Sequence, residues 1–526
     1  MSILPQFIGI YMVFNSLAFL LFFPFVAAAY FFLTMRIALR YKALSNTLSQ
    51  IFLLAASLFF YGYWKPAYLG LIAISIAVTW TSGLLMEGRD IQKKRLILAG
   101  SLAINLAILF FFKYYHFAVF SVQFLVHNKI DFPLFDVLLP VGISFYTFQA
   151  LGYSIDVYYG RVRAERNFIT YALFVTFFPQ LVAGPIERTG NLLPQFKANH
   201  EFDYDRVTSG LRLAAWGMFK KVVIADRLAI YVNGVFGNPS VYPATTLALA
   251  TFFFVFQIYC DFSGYSDIAI GCARVLGFNL MVNFRQPYFS RSITEFWRRW
   301  HISLSTWLKD YLYIPLGGNR KGEVRRGINL LITFILSGLW HGAAWHFVAW
   351  GALHGIFQII GRSTAAFRNA IARKIDLPEE SRLRKTIQLC VTFTLVCFAW
   401  VFFRANTIAD AFLITAKLAK LPVEVAGYAR RLPQNGIIET VRDMFQLGIP
   451  YDDRPIADFG GLTSFGLSGI SIAILLINDV LIRKTPDETI LKQKRLPLRW
   501  AGYYALIFTI LLSWNPVSPQ FIYFTF

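Results

Sequence analysis

Arg95-Leu-Ile-Leu-Ala-Gly-Ser-Leu-Ala-Ile-Asn-Leu-Ala-Ile-Leu-Phe-Phe-Phe-Lys-Tyr114 carries no charge between Arg95 and Lys113 and follows the basic run Arg89-Asp-Ile-Gln-Lys-Lys94-Arg95. About 20 apolar residues in a helix cross about 30 Å of hydrocarbon, and only a helix or a closed barrel satisfies its own backbone there. The stretch therefore reads as a membrane-spanning helix with its basic end in the cytoplasm. The same test gives candidate spans at 16–34, 47–62, 67–86, 95–114, 168–184, 208–232, 244–262, 264–281, 327–341, 343–361, 386–403, 463–481 and 500–517. The stretch 138–158 is apolar but broken by Pro140 and Gly142. Short or interrupted spans, among them 208–232 and 327–341, predict helices that stop inside protein rather than in lipid.

Composition agrees. The 526 residues are 56% hydrophobic, 17% aromatic and 15% charged, with 54 Phe and a mean hydropathy of +0.52. A soluble chain is roughly 45–50% apolar and about 25% charged. A soluble globular enzyme is excluded, and so is disorder, which needs few aromatics and dense charge. The formal charge of 50 − 29 = +21 does not point to nucleic acid, because basic excess in a membrane protein belongs to cytoplasmic loops. Cys260, Cys272, Cys390 and Cys397 sit in or beside apolar segments and form no CxxC pair, so neither a zinc site nor a disulfide framework is expected.

Loop charges orient the chain. Arg36, Arg40 and Lys42 follow the first span, the loop at 61–68 holds one Lys, and 89–95 is basic again. Segments 362–385 and 482–499 are basic, whereas 404–462 is mixed. The basic segments are placed inside, and 404–462 and both termini outside. Ile408–Leu418 and Gly436–Leu447 read as short amphipathic helices on the outer face. Residues 7–34 lack a basic n-region and a small-residue cleavage site, so no removed signal peptide is expected. Met12 is a second candidate start, leaving 1–11 as an extension. No internal repeat of the transporter kind is visible.

Two segments break the apolar pattern. Segment 282–326 contains Glu295-Phe-Trp297-Arg298-Arg299-Trp300-His301-Ile-Ser303-Leu-Ser-Thr-Trp307-Leu-Lys309-Asp310-Tyr311. It is too charged to span. Glu295 stands three and four residues before Arg298 and Arg299, and the aromatics recur at helical spacing. A re-entrant or interfacial amphipathic element on the cytoplasmic side is expected; a basic anchor without catalytic work is the alternative. The second segment is Leu339-Trp340-His341-Gly342-Ala-Ala-Trp345-His346. Histidine is the side chain best suited to base work near neutral pH, and Gly342 leaves space beside it for a substrate or another backbone. His346 and His354 read as structural. His341 and His346 are not at the i,i+4 spacing of a metal pair, and no HExxH occurs. Gln257, Asp261 and Asp267 place polar groups in an apolar stretch, which marks a relay, an ion path or a packed network. No G-x-S-x-G, P-loop or dinucleotide fingerprint occurs.

The string Phe284-Arg-Gln-Pro-Tyr-Phe-Ser290, then Glu295–Leu308 and Asp310-Tyr-Leu-Tyr-Ile-Pro-Leu-Gly-Gly-Asn319, resembles the membrane-bound O-acyltransferase (MBOAT) family. Phe178–Arg188, Lys220–Arg227, Gln257–Gly271, Leu339–Gly355 and the tail from Ser513 support the likeness, which runs from about Met12 to the end. The motifs are most similar to the branch that acetylates secreted polysaccharides such as alginate. They are more distantly similar to the branch that D-alanylates teichoic acids. The resemblance implies an all-α MBOAT fold of 11–13 transmembrane or re-entrant helices (about that many) forming one domain over 12–526 around a central tunnel. It implies catalytic roles for His341 and His301. Arg285, Trp297, Arg298, Arg299, Ser303, Asp310, Gln257 and Asp261 become candidates for donor binding or the tunnel lining. The donor implied is acetyl-CoA or a related acyl thioester, with no bound cofactor or metal. The acceptor would be an extracytoplasmic hydroxyl, on a polysaccharide or on a periplasmic partner, with the chain in a bacterial inner membrane. A transporter of an acyl group or lipid-linked sugar, or a scaffold without chemistry, are the competing readings.

Overall fold

A computed structural model describes residues 12–37, 42–127, 132–135, 138–182, 184–447, 459–482, 496–515 and 521–522. Several expectations fall wholly or partly outside the described residues: the extension 1–11, most of the basic loop at 36–42, residue 183 of the span 168–184, residues 448–458 of the outer segment 404–462, most of 482–499, and residues 516–520 and 523–526 near the end of the chain. Among the described residues there is helix and no strand. Eight helices are long and apolar enough to cross a membrane: Leu17–Met35, Leu44–Gly62, Pro66–Met86, Ile91–Leu125, Ala244–Leu276, Arg382–Arg404, Gly461–Leu481 and Leu496–Ser513. The chain divides into two compact units, Met1–Met218 with Tyr265–Val282, and Phe219–Gly264 with Asn283–Phe526.

In the first unit, small polar side chains join apolar helices. Ser75 donates to Asn105 at 2.6 Å, Ser82 and Ser154 lie 3.2 Å apart, and Tyr171 donates to Thr79 at 2.6 Å. Helices surrounded by lipid gain little from apolar burial, so such bonds and close packing hold them together. Helix Ile143–Tyr158 starts at Gly142, whose φ of 76° suits glycine and whose Cβ would stand 2.7 Å from the Leu181 carbonyl oxygen. Pro140 and Gly142 thus end the irregular stretch at 138–142, and the helix behind them is almost wholly buried.

Two expected spans, 244–262 and 264–281, are one continuous helix, Ala244–Leu276. A single Gly264 costs a helix only about 1 kcal/mol, which the surrounding packing overrides. Its hydrophobic window is 89% buried, so it meets protein rather than lipid. That explains its tolerance of Gln257, Asp261 and Ser263.

In the second unit, Gly322–His341 and Trp345–Ser363 form a tight hairpin. A Cβ on Gly338 would stand 2.2 Å from the Phe347 carbonyl oxygen, and one on Gly351 2.2 Å from that of Phe334. Glycine lets the two backbones touch. The space beside Gly342 holds the Phe347 ring, 2.0 Å from where a Cβ would be; it is filled by the protein's own aromatic side chain rather than left open. In the segment 404–462, Thr407 caps the helix Ile408–Leu418 by accepting from the Asp410 N–H. The following helix Leu421–Phe445 is interrupted at Gly436, where φ is 73°.

Candidate active site

Segment 282–326 is built from short pieces: helices Ile293–Arg299 and Ile302–Leu308, then a π-helical turn Lys309–Tyr313. Ser292 starts the first helix by accepting from the Glu295 N–H at 3.1 Å. Glu295 returns a carboxylate oxygen to the Arg291 N–H at 2.8 Å and pairs with Arg299 at 2.7 Å. The i,i+4 partner is therefore Arg299, while Arg298 is exposed. The helix stops at Trp300, and His301 takes a left-handed conformation with φ 44°. That conformation is costly for a non-glycine residue and marks a constrained position. The segment 283–285 braces the break: Arg285 N–H donates to the Arg299 oxygen, and Ile302 N–H to the Asn283 oxygen, both at 2.9 Å.

The break turns His301 inward, to 0% exposure. Its ring meets Phe262 edge-on at 4.6 Å and Trp340 at 5.9 Å. The His341 ring lies 6.1 Å from it. His341, 2% exposed, ends the first helix of the glycine hairpin and is enclosed by Trp350 at 5.0 Å and Phe403 at 5.4 Å. The two histidines, distant in sequence, thus share one aromatic chamber. Burial pushes the His301 imidazole down to about 3 from 6.5, so it is neutral at physiological pH.

The other candidates have assigned neighbours. Ser303 is buried and gives both its N–H and its hydroxyl to Asn283, at 3.2 and 3.0 Å. Trp297 donates its indole N–H to His354 Nδ1 at 3.2 Å, within a ring cluster that includes Trp350. Asp261 binds Lys221 at 2.7 Å and accepts the Ile522 N–H at 2.8 Å; Lys221 also binds Asp226 at 2.7 Å. The π-helical turn Phe219–Ala225 carries Lys220 and Lys221 into this buried position. Gln257 is buried, and its Oε1 has no hydrogen-bond partner among the described residues. Arg285 is exposed, and Asp310 lies half-buried on the π-helical turn. His346 Nδ1 donates to the Phe402 carbonyl oxygen at 3.1 Å, and His354 stacks on Phe296. A separate cavity of 320 Å³ is lined by Lys309, Tyr313, Gly317, Arg320, Arg326 and Arg362, among others. Sequence reasoning passed over Asn283, Phe262, Trp350 and Phe403. Only Asn283 carried a signal, a polar side chain between Val282 and Phe284.

Residues 161–403, which include both histidines, match the model of the membrane-bound O-acyltransferase family. The chain is 43% identical over 366 residues to a probable alginate O-acetylase of Pseudomonas putida, covering 68% of this chain and 72% of that protein. It is 36% identical over 427 residues to the peptidoglycan O-acetyltransferase of Helicobacter pylori, covering 74% and 79%. A teichoic acid D-alanyltransferase of Bacillus subtilis is 24% identical over 349 residues, covering 64% and 85%.

Proposed function

The chain belongs to the membrane-bound O-acyltransferase family, and on that footing we propose that it carries an acetyl group from cytoplasmic acetyl-CoA to an extracytoplasmic hydroxyl. That hydroxyl is on a secreted polysaccharide of the alginate type, or on a periplasmic partner that relays the group to one. The observation that carries this reading is the buried pair His301 and His341, 6.1 Å apart in one aromatic chamber. Two imidazoles at a site away from bulk water suit proton transfer during acyl exchange, worth on the order of 10²–10⁴-fold. In this reading His341 takes the proton of the acceptor hydroxyl as its oxygen bonds to the thioester carbonyl carbon. The carbon–sulfur bond then breaks, and the proton passes to the departing thiolate. The basic cavity around Lys309, Arg320 and Arg362 supports a phosphate-bearing donor, and likeness to an alginate O-acetylase and a peptidoglycan O-acetyltransferase supports a polymer acceptor.

Purified protein in nanodiscs, given labelled acetyl-CoA, is expected to release free CoA, and His341→Ala to lower the rate by about 10²-fold or more. Full activity in a normally folded His341→Ala variant overturns the base. Movement of label across the bilayer without thioester cleavage favours a transporter. Cellular polymer acetylation that survives both His341→Ala and His301→Ala favours a scaffold.

A further inference from the structure

The hydrogen bonds around Asn283 decide which nitrogen of His301 holds its proton. Asn283 is 1% exposed, and its Oδ1 lies 3.2 Å from the Ser303 backbone nitrogen, 3.0 Å from the Ser303 hydroxyl and 3.2 Å from His301 Nδ1. A backbone N–H can only donate, so the Asn283 atom facing it is the amide oxygen and not its NH₂. The same oxygen faces His301 Nδ1, so Nδ1 must be the donor. A neutral imidazole carries one proton; with that proton on Nδ1, Nε2 is left as a lone pair. His301 Nε2 is buried and has no hydrogen-bond partner among the described residues. Neighbouring rings Phe262, Phe284 and Trp340 form its surroundings, and His341 is the titratable group in ring contact with it.

We infer that Asn283 is a positioning residue that locks His301 as its Nδ1–H tautomer and so makes Nε2 a proton acceptor in the two-histidine chamber. The inference rests on the reading of His301 and His341 as the acyl-transfer site and sharpens it. A lone pair at Nε2 can accept from the acceptor hydroxyl or from the N–H of His341. It cannot donate to the thioester carbonyl oxygen, so His301 does not stabilise the oxyanion. The lock has three anchors in one short region: the Ile302 N–H on the Asn283 carbonyl oxygen at 2.9 Å, the Ser303 donors on its side chain, and the left-handed turn at His301. Any loss of Asn283 frees the ring to adopt the other tautomer.

The test has a spectroscopic arm and a kinetic arm. Magic-angle-spinning NMR of ¹⁵N-histidine-labelled protein in bilayers separates protonated from bare ring nitrogens. The His301 signals, among seven histidines, are identified by their loss in His301→Gln. The wild type is expected to show His301 protonated at Nδ1 only, Asn283→Ala a mixture, and Asn283→Asp, which keeps an acceptor oxygen, Nδ1 protonation again. In CoA release from acetyl-CoA, Asn283→Ala is expected to lower kcat about 10- to 100-fold with KM unchanged. His301→Gln, whose amide stands where Nε2 stood, should retain more turnover than His301→Asn, whose amide stands where Nδ1 stood. A wild-type His301 protonated at Nε2, or as imidazolium, overturns the inference whether or not any variant folds. So does greater turnover in His301→Asn than in His301→Gln. If the wild type releases no CoA, the donor in the proposed function is wrong, and the NMR still decides the role of Asn283.

Discussion

At the scale of single residues, burial sets the chemistry. Lys221 holds two carboxylates, Asp226 and Asp261, each at 2.7 Å, with almost no exposure of any of the three. Removing one member of such a cluster strands the others, at a cost of about 3–5 kcal/mol. Lys221→Met is therefore expected to lower the thermal midpoint sharply, read by tryptophan fluorescence in detergent, and the further changes Asp226→Asn and Asp261→Asn to recover much of the loss. An unchanged midpoint in Lys221→Met would show that water reaches the cluster. Asp261 illustrates how far a single sequence can be read: its position in an apolar stretch announces a buried polar job, but a tunnel lining and a structural ion pair look alike there. The structure gives it Lys221 and the Ile522 N–H. His301 makes a second case. Its imidazole lies outside the spanning helices, and its pKa falls from 6.5 to about 3 on burial. The unfolded chain then binds a proton that the folded one refuses once the pH drops below about 6.5. Stability is full above that value and is lost progressively towards pH 3. Thermal midpoints measured down this range should fall, and His301→Gln should flatten the fall.

At the scale of elements, glycine contacts outweigh apolar content. The hairpin Gly322–His341 with Trp345–Ser363 closes because Gly338 and Gly351 let carbonyl oxygens sit within 2.2 Å of where a Cβ would be. Its geometry holds His341 at the helix end, in contact with Trp350 and Phe403. Gly351→Ala pushes a methyl group against backbone, which cannot give way as a side-chain tip can. Overpacking of this kind costs about 1–3 kcal/mol. Gly351→Ala should broaden or shift the size-exclusion profile and lower activity, whereas Gly361→Ala, with nothing within 4 Å of its Cβ position, should behave as wild type. Equal behaviour of the two variants would remove the hairpin contact as the cause. The break between Ile293–Arg299 and Ile302–Leu308 was not legible from spacing. Trp297, Trp300, Trp307 and Tyr311 suggest one amphipathic helix, yet the chain turns at His301 because the bonds to Asn283 and the aromatic packing repay a left-handed residue.

At the scale of the whole chain, charge and apolar length carry the information. The helix Leu496–Ser513 keeps no buried residue in its apolar window, and Phe508, Leu511 and Leu512 are more than half exposed. Such faces would aggregate in water and are ordinary against lipid. The basic loops predict an orientation that labelling checks. In a cysteine-free background, cysteines at Arg89 and Glu379 are expected to react with a membrane-impermeant maleimide only after the cell membrane is opened. A cysteine at Lys420 should react in spheroplasts at once. The reverse pattern would invert the topology and put the basic cavity on the wrong side for a cytoplasmic donor.

By itself the sequence determined that this is a helical membrane protein and placed most of its spans, because spanning depends on local apolar length and the obligation of each helix to satisfy its own backbone. It also singled out His301 and His341, through motifs that are local strings. Tertiary structure alone decided that 244–276 is one buried helix and that Arg299 rather than Arg298 pairs with Glu295. It decided, too, that Phe347 fills the space at Gly342 and that the two histidines meet beside Asn283. Those outcomes depend on which distant side chains share a volume, and close packing between remote segments leaves no periodic trace in the chain.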